Sequence, residues 1–258
     1  MTKIGVVSLA TGTKYFGYWK EMVLTFKANE SNFKSLKFYL LTDRVHEVEE
    51  FCRVNQINSQ IFLIPSYGWP EATLLRYQEI LAIKESITEE VCIYIDADML
   101  IKTDIVPKLR STEWENGMAF VAHPGYWRPN GLARAIFYLK YPNRILRDLV
   151  SKIKIGNLGS WERDESSAAY VPRQYRKIYI CGGVWMGRNQ YFFELIEKCS
   201  LAVKIDLNRN FIAIWHDESH LNKWFSDNGG TILTPAFCYD PTYPNLASLP
   251  EYIRAVRK

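Results

Sequence analysis

The first hundred residues alternate short apolar runs with amphipathic segments. The apolar runs predict four buried strands, at residues 3–9, 36–42, 60–64 and 91–95. Between them, apolar positions at helical spacing predict a helix through Phe16, Trp19, Val23 and Phe26 and further helices near residues 45–54 and 73–86. Such alternation predicts an α/β domain with a Rossmann-like, mostly parallel twisted sheet and helices on both faces.

The pattern is less regular from about residue 117 onward. It predicts strands at 118–123 and 177–186 and helices at 132–152, at 191–202 and from His216, with a loop up to residue 172. No internal repeat and no clean linker separates the two parts. We therefore expect a single domain over residues 1–258, with two halves at 1–116 and 117–258.

A pair of carboxylates follows the fourth apolar run directly. In open α/β sheets, ligands bind beyond the carboxyl ends of the strands, which draws attention to Asp96 and Asp98. Side chains at i and i+2 of an extended chain point the same way, so both carboxylates could address one Mg²⁺ or Mn²⁺ ion. The alternative is that they only end the strand and begin a turn.

Four ionisable side chains crowd the segment from His216 to His220. The two histidines are four residues apart, which resembles the HExxH zinc proteases, but the glutamate of that motif is displaced here. Glu218 comes one position later, and Asp217 follows the first histidine instead. The structural alternative is a first helical turn whose acidic residues interact favourably with the helix dipole.

Three weaker features also follow strands or interrupt them. The turn at residues 11–14 could offer backbone N–H groups to a phosphate, but it matches neither GxGxxG nor the Walker pattern. Arg76 could pair with a phosphate, although an arginine in a helical stretch is more often part of a solvated face. Two glycines, Gly182 and Gly183, interrupt an apolar strand, which indicates either a close approach of a ligand or backbone, or a bulge.

Composition narrows the function. The chain has 258 residues with 48% hydrophobic and 23% charged residues, which is typical of a soluble globular protein. No apolar run reaches membrane-spanning length and a strand-like run begins at Lys3, so we expect no anchor and no signal peptide. The net charge is only +4 and the basic residues are scattered along the chain, so the sequence does not predict a nucleic-acid-binding surface. Five cysteines without a CxxC pair favour reduced thiols, hence a cytoplasmic or otherwise soluble protein, with peripheral membrane association left open.

Together these segments resemble the retaining α1,3-galactosyl and α1,3-N-acetylgalactosaminyl transferases that include the histo-blood-group A and B enzymes. The run at 215–223 is the most specific, because nine consecutive residues match in the right order relative to the Asp-Ala-Asp motif. The other matching positions, in chain order, are Leu9, Ala10, Thr11, Tyr15, Thr42, Asp43, Trp69, Arg76, 96–99, 123–126, 161–163, 169–172 and 181–183.

This resemblance implies a GT-A fold and α1,3 transfer with retention, from UDP-GalNAc or UDP-Gal to a galactose-containing acceptor of the Fucα1,2-Gal type. Residues 1–116 would be the nucleotide-sugar half, and residues 117–258 the acceptor and catalytic half. It implies Mn²⁺, with Mg²⁺ as the alternative, at Asp96 and Asp98. Glu218 would be the catalytic carboxylate, as nucleophile or as stabiliser of an oxocarbenium-like transition state. The other implied donor residues are Leu9, Ala10, Thr11, Tyr15, Arg76, Ala97, Cys181, Gly182, Gly183 and Asp217. The implied acceptor residues are His123, Ser160, Trp215, Glu218 and Asp240.

The small residue at Gly183 would leave room for an N-acetyl group, so the resemblance favours UDP-GalNAc. Some parts of the sequence depart from the family. The vertebrate members begin with an anchor and stem that are missing here, which predicts either a soluble, microbial or viral type of member or a shortened chain. Residues 128–160 form a longer segment than the vertebrate equivalent, and its basic residues could be only a solvated face.

In place of the family's basic tail, Arg254, Arg257 and Lys258 could contact the diphosphate. A non-catalytic carbohydrate-binding protein on the same fold is the main alternative, and a nucleotidyltransferase is a further one. The oligomeric state is left open by the sequence.

Overall fold

A computed structural model describes residues 3–110 and 113–256. Seven strands form one sheet in the order β3-β2-β1-β4-β7-β6-β8, and β5 pairs with β9 apart from it. The strands are β1 Ile4–Leu9, β2 Leu36–Thr42, β3 Ser59–Leu63, β4 Val91–Ile95, β5 Met99–Ile101, β6 Met118–Ala122, β7 Ile180–Arg188, β8 Thr231–Leu233 and β9 Ile253–Ala255.

The helices connect these strands and cover the faces of the sheet. They are α1 Gly12–Asn29, α2 Val45–Asn55, α3 Glu71–Leu74, α4 Arg76–Ala82, α5 Val106–Arg110, α6 Gly131–Lys140, α7 Asn143–Ile155, α8 Asn189–Asn208 and α9 His216–Asn228. In the described part of the chain, no helix is long and apolar enough to span a bilayer.

The first four strands of the chain are parallel, in the order that helical crossovers produce. The second half of the chain extends the same sheet, because β7 lies antiparallel between β4 and β6, and β8 pairs parallel with β6. The predicted α/β class with a mostly parallel sheet is therefore confirmed.

The sheet is buried on both faces, because alternate residues of its central strands enter different cores. On β4, Ile93 and Ile95 pack with α1, whose Trp19 is fully buried. Cys92 and Tyr94 point the other way and pack with α4 and α8. This two-sided burial explains why the strands appear in the sequence as continuous apolar runs. The five cysteines are free and buried.

Several predicted elements differ from the observed ones. The helix predicted at 73–86 is two short helices that meet at Leu75, followed by a single 3-10 turn. The helix predicted at 132–152 is the pair α6 and α7, interrupted before Pro142, whose ring cannot continue a helix. The strands β5, β8 and β9 are three residues each and were not predicted, because runs this short show no periodicity.

Candidate active site

Two adjoining cavities lie at the edge of the sheet where β1 and β4 end. Their volumes are about 370 and 410 Å³, and they share Thr73, Arg76 and Asp96 as a common wall. The first is lined also by Leu9, Thr11, Gly12, Tyr15, Ser66, Tyr67, Gly68, Trp69, Ala72, Tyr94, Ala97 and Asp98. The second is lined also by His123, Tyr126, Ser160, Gly182, Gly183, Trp215, His216, Asp217, Glu218 and Tyr243.

The first cavity has the beginning of α1 on one side. Gly12 has a φ of +71°, and its N–H donates to Asp43 Oδ1 at 2.9 Å. This N–H, which the sequence suggested for a phosphate, is thus bonded within the protein. The carboxylate after β2 instead fixes the first turn of α1 and orients the neighbouring Thr11 and Tyr15 at the cavity wall.

The two carboxylates after β4 lie at the first cavity, but not on an extended chain. Ala97 and Asp98 form a turn before β5, so the predicted i, i+2 geometry is wrong in its detail. The turn is held on both sides: Asp96 N–H donates to Gly183 O at 2.9 Å, and Val256 N–H donates to Asp98 O at 2.8 Å. The Asp98 side chain is buried, and that of Asp96 is partly exposed.

Arg76 is the cation of the common wall. Its guanidinium lies 3.2 Å from Asp96 Oδ1 and 3.2 Å from Asp217 Oδ2, and it stacks over the Tyr94 ring. Burial alone would lower its pKa, but the nearby Asp217, Tyr94 and Asp96 raise that pKa well above the ordinary value. The interpretation of Arg76 as part of a solvated face is therefore wrong, since it is 7% exposed and links the two cavities.

The catalytic candidate Glu218 lies in the first turn of α9, in the second cavity. Its Oε2 accepts the Gly182 N–H at 2.7 Å. A Cβ at Gly182 would lie 3.3 Å from the Glu218 Cβ, so the glycine permits the close approach of β7 and α9. Burial raises the pKa of Glu218 to about 7, against the lowering effect of this hydrogen bond and of Arg76.

Asp217 has a similar environment on the same turn. Burial raises its pKa to about 7, although Arg76 opposes the shift. Its backbone carbonyl accepts from the Tyr77 hydroxyl at 3.1 Å, which ties α9 to α4. Two adjacent carboxylates with perturbed pKa values in a cavity are typical of functional sites rather than of a simple helix start.

His123 lies at the far side of the second cavity. Its Nδ1 accepts the Gly125 N–H at 3.0 Å, and burial lowers its pKa to about 4. A neutral imidazole with an accepting Nδ1 carries its proton on Nε2, so His123 can donate to a hydroxyl oxygen. Tyr126 forms a short hydrogen bond with Ser160 beside it.

Three predicted site residues are not on the cavity walls. Ala10 and Cys181 are buried behind neighbours that do line the cavities, and Asp240 accepts hydrogen bonds from Thr242 at its own turn. Asp240 nevertheless lies close enough to His123 to oppose the lowering effect of burial on the pKa of that histidine.

The zinc alternative finds no support in the geometry. His216 borders the second cavity and packs edge-on against Trp69, whereas His220 is buried 3.6 Å from Asp206. The two histidines therefore face different surroundings. Within residues 3–110 and 113–256, no group of three or more His, Cys, Asp or Glu side chains is arranged to hold a metal ion.

Asp96 and Asp98 nevertheless fit a hard divalent cation that takes its other ligands from a substrate. Tyr94 and Arg76 both donate hydrogen bonds to Oδ1 of Asp96. Its Oδ2 faces Gly183, where a Cβ would lie 3.1 Å away. Mg²⁺ and similar ions are commonly held by one or two carboxylates together with substrate phosphates.

Sequence reasoning missed several tyrosines of the site. Tyr94 donates to Asp96 from two positions earlier on β4, so strand alternation could have indicated it. Tyr179, at the start of the β7 segment, faces Glu218 and is 2% exposed. Tyr243 packs against the position of Gly125 and comes from a loop without a sequence signal.

The seven-stranded, mostly parallel sheet with helices on both faces is consistent with a GT-A-like fold. Comparison with known proteins agrees, because residues 143–258 match the model of Glycosyltransferase family 6. The chain is 26% identical to the O-antigen biosynthesis glycosyltransferase WbnI of Escherichia coli, over 80% of this chain and 75% of that protein. The match to glycosyltransferase family 6 over residues 143–258 and the similarity to this relative confirm the resemblance drawn from the motifs.

Some vertebrate relatives match over nearly the whole chain. Histo-blood group ABO system transferase 1 of Rattus norvegicus is 24% identical over 99% of this chain and 66% of its own length. Globoside α-1,3-N-acetylgalactosaminyltransferase 1 of Gallus gallus is 24% identical over 93% of this chain. The chain spans only 63% of that relative's length.

Proposed function

We propose that the chain transfers GalNAc, or alternatively galactose, from its UDP derivative to a galactose-containing acceptor, in α1,3 linkage and with retention. The observation that carries this proposal is the position of Glu218. Its carboxylate lies in the second cavity, held by the Gly182 N–H, and Arg76 and Asp96 connect that cavity to the first. A retaining transfer needs a carboxylate near the anomeric carbon for either a covalent or a front-side route.

The two cavities suggest that different parts of the substrates bind in different places. The first would hold the nucleotide, with Leu9, Thr11 and Tyr15 in contact with its uracil base and ribose. The second would hold the transferred sugar and the acceptor, with Asp217 bonded to a sugar hydroxyl and His123 donating from Nε2. The proposal therefore assigns the nucleotide to residues 1–116, and the acceptor and catalysis to residues 117–258.

The diphosphate would lie at the common wall, beside Arg76 and the two carboxylates of the turn after β4. Asp96 and Asp98 would hold the divalent cation, for which we propose Mn²⁺ in preference to Mg²⁺. When bound, this cation would neutralise charge on the departing UDP. Arg76 adds a fixed positive charge at the same place. Both effects make UDP a better leaving group without a separate general acid.

GalNAc is the preferred donor in this proposal because no side chain projects from Gly183 into the second cavity. The same glycine also accommodates protein atoms, since a Cβ there would lie 2.8 Å from Met99 Cε. The acceptor is proposed to be of the Fucα1,2-Gal type, on the resemblance at residues 123–126.

The test is to incubate the purified protein with Mn²⁺, a fucosylated lactose and either UDP-GalNAc or UDP-Gal, and to measure UDP release. We expect the acceptor to stimulate UDP release and excess EDTA to abolish it. UDP-GalNAc should be preferred to UDP-Gal by roughly tenfold or more. Asp98→Asn should lower turnover at saturating metal, whereas the exposed Asp227→Asn should not. A preference for UDP-Gal would overturn the donor assignment, and absence of UDP release with every donor would favour a carbohydrate-binding protein.

A further inference from the structure

The two helices α6 and α7 form an amphipathic hairpin, residues 131–155, whose outer side is apolar. Leu132 is 77% exposed, Leu139 83%, Leu146 69% and Ile153 69%. Such exposure of large side chains at helical spacing is unusual for a soluble surface and marks an interaction site. The other exposed apolar side chains of the hairpin are Ile136, Ile145, Leu149 and Val150.

The apolar positions fall on one stripe of each helix, away from the body of the protein. On α6 they recur at Leu132, Ile136 and Leu139, and on α7 at residues 146, 149, 150 and 153. The positions that pack inward, Phe137 and Asp148, lie on the opposite side of their helices. Both stripes therefore face outward.

The hairpin is also strongly basic. Residues 131–155 contain six Lys and Arg side chains and one acidic residue, Asp148, whereas the whole chain carries a net charge of only +4. Asp148 is buried in an ion pair with Arg128 at 2.6 Å, so it does not offset the surface charge. At helical spacing, Arg147 and Lys154 flank the stripe of α7 and Lys140 flanks that of α6.

We propose that this hairpin docks the protein on an anionic lipid bilayer. An apolar stripe flanked by Lys and Arg is the composition of helices that lie in the membrane interface and bind acidic lipids. A second copy of the chain is a poorer occupant, because two hairpins face to face would bring together surfaces with the same excess of positive charge.

Docking there would bring the second cavity close to the lipid surface. Arg128, which anchors the hairpin, donates to Gly125 O at 3.1 Å beside His123. Tyr126 lines both the second cavity and a further cavity of about 310 Å³ beneath the hairpin. The acceptor glycan would then be one presented from a membrane surface.

The test is flotation of the full chain with vesicles of phosphatidylcholine alone or with roughly one quarter phosphatidylglycerol. We expect binding to the anionic vesicles only, weakened by salt. Arg147→Gln with Lys154→Gln should weaken it on the order of twentyfold. Leu139→Ser with Leu146→Ser and Ile153→Ser should weaken it on the order of a hundredfold or more.

The matched control is Leu201→Ser with Lys204→Gln on α8, where Leu201 is 59% exposed, and it should bind as the unaltered chain does. Folding of all variants is checked by their melting temperatures. Vesicle binding does not depend on sugar transfer, so failure of one is seen separately from failure of the other. Equal binding to neutral vesicles, unchanged binding of the hairpin variants, or a dimer in light scattering that the Ser variants abolish would each overturn the proposal.

Discussion

Two opposing effects act on the pKa of Glu218. The Gly182 N–H at 2.7 Å favours its ionised form, whereas burial disfavours charge and raises its pKa to about 7. The proposed reaction needs the ionised form, both for a covalent route and for charge stabilisation. Transfer activity should therefore rise with pH through about 7, and a pH profile of kcat/KM, which reports groups of the free enzyme, measures this. A profile flat from pH 5.5 to 8 would contradict the assigned role.

Glu218→Gln should separate activity from stability. We expect kcat to fall roughly a thousandfold or more, because an amide cannot act as the anionic group. Between pH 4.5 and 7 the folded wild type binds more protons at this site than the unfolded chain, so its stability declines as pH rises. The variant lacks that decline and should be more stable at pH 8 by on the order of 1 kcal/mol.

Thermal melts at pH 8 and pH 5 measure the stability effect, which should vanish at the lower pH. Glu194→Gln is the control, because that carboxylate is exposed and pairs with Lys198 four residues away. An equal change in the control would show that the effect is not specific to the buried site.

Gly183 is constrained by protein atoms, apart from the role in donor choice proposed for it. A Cβ at this position would lie 2.8 Å from Met99 Cε and 3.1 Å from Asp96 Oδ2. Gly183→Ala should therefore displace Asp96 and raise the KM for the donor about tenfold, with partial recovery when Met99→Ala is added. Gly17→Ala is the control, since nothing lies within 4 Å of a Cβ there. An unchanged donor KM in Gly183→Ala would show that the contact does not constrain the site.

At the scale of single residues, the sequence predicted which side chains line the site better than how they interact. Asp96, Glu218 and His123 were expected from motifs, and they do lie on the cavity walls. The partners of these residues were not predictable, because Gly182 and Tyr179 reach Glu218 through strand packing that no local pattern encodes.

At the scale of elements, long periodic segments were predictable and short ones were not. The bounds of β2 and β4 agree with the apolar runs, because both strands are buried on both faces. The helix predicted from residue 73 fails at Leu75, where a bend places Arg76 at the start of a new helix and in the common wall. Tertiary contacts there outweigh the local helical pattern.

A buried ion pair attaches the hairpin of α6 and α7 to the rest of the protein, beside hydrogen bonds from Arg173 and Arg176 to the end of α7. Arg128 donates to both carboxylate oxygens of Asp148, at 2.6 and 2.8 Å, and also to the backbone near His123. Asp148→Asn leaves a buried guanidinium without its counter-ion and should cost about 3–5 kcal/mol locally. We expect faster amide hydrogen exchange in 131–155 and a raised KM for the acceptor.

Hydrolysis of the donor without acceptor should stay unchanged in Asp148→Asn, since the first cavity is remote from the hairpin. Asp227→Asn is the matched control, because it breaks an exposed pair with Lys223. A rise in the donor KM equal to that of the acceptor would show general loosening and contradict the local effect.

At the scale of the whole molecule, the last strand supports the first cavity. β9 pairs antiparallel with β5, directly after the carboxylate turn, and Ile253 is fully buried in the core beside α1. Ile253→Ala should destabilise the protein by about 2–5 kcal/mol and Ile253→Val by about 1 kcal/mol. Because β9 holds the turn of Asp98, we also expect weaker binding of UDP with Mn²⁺, measured by calorimetry.

Ile196→Ala on α8 makes a comparable cavity in the other core and is the control for this prediction. It should lower the melting temperature without changing UDP affinity. Equal loss of affinity in both variants would mean that general stability, not the support of the turn by β9, governs binding.

Of the basic residues expected near the diphosphate, Arg254 pairs with Glu251, and Arg257 and Lys258 lie outside the described residues.

The insertion of β7 between β4 and β6 has a consequence for biosynthesis. While the polypeptide is being translated, β4 is complete long before its neighbour, since Ile95 pairs with Val184. A nascent chain therefore carries an unpaired, apolar strand edge for as long as the intervening segment takes to emerge from the ribosome. Contacts this distant in sequence form slowly, so recombinant yield should depend on chaperone supply and growth temperature more than on the stability of the finished fold.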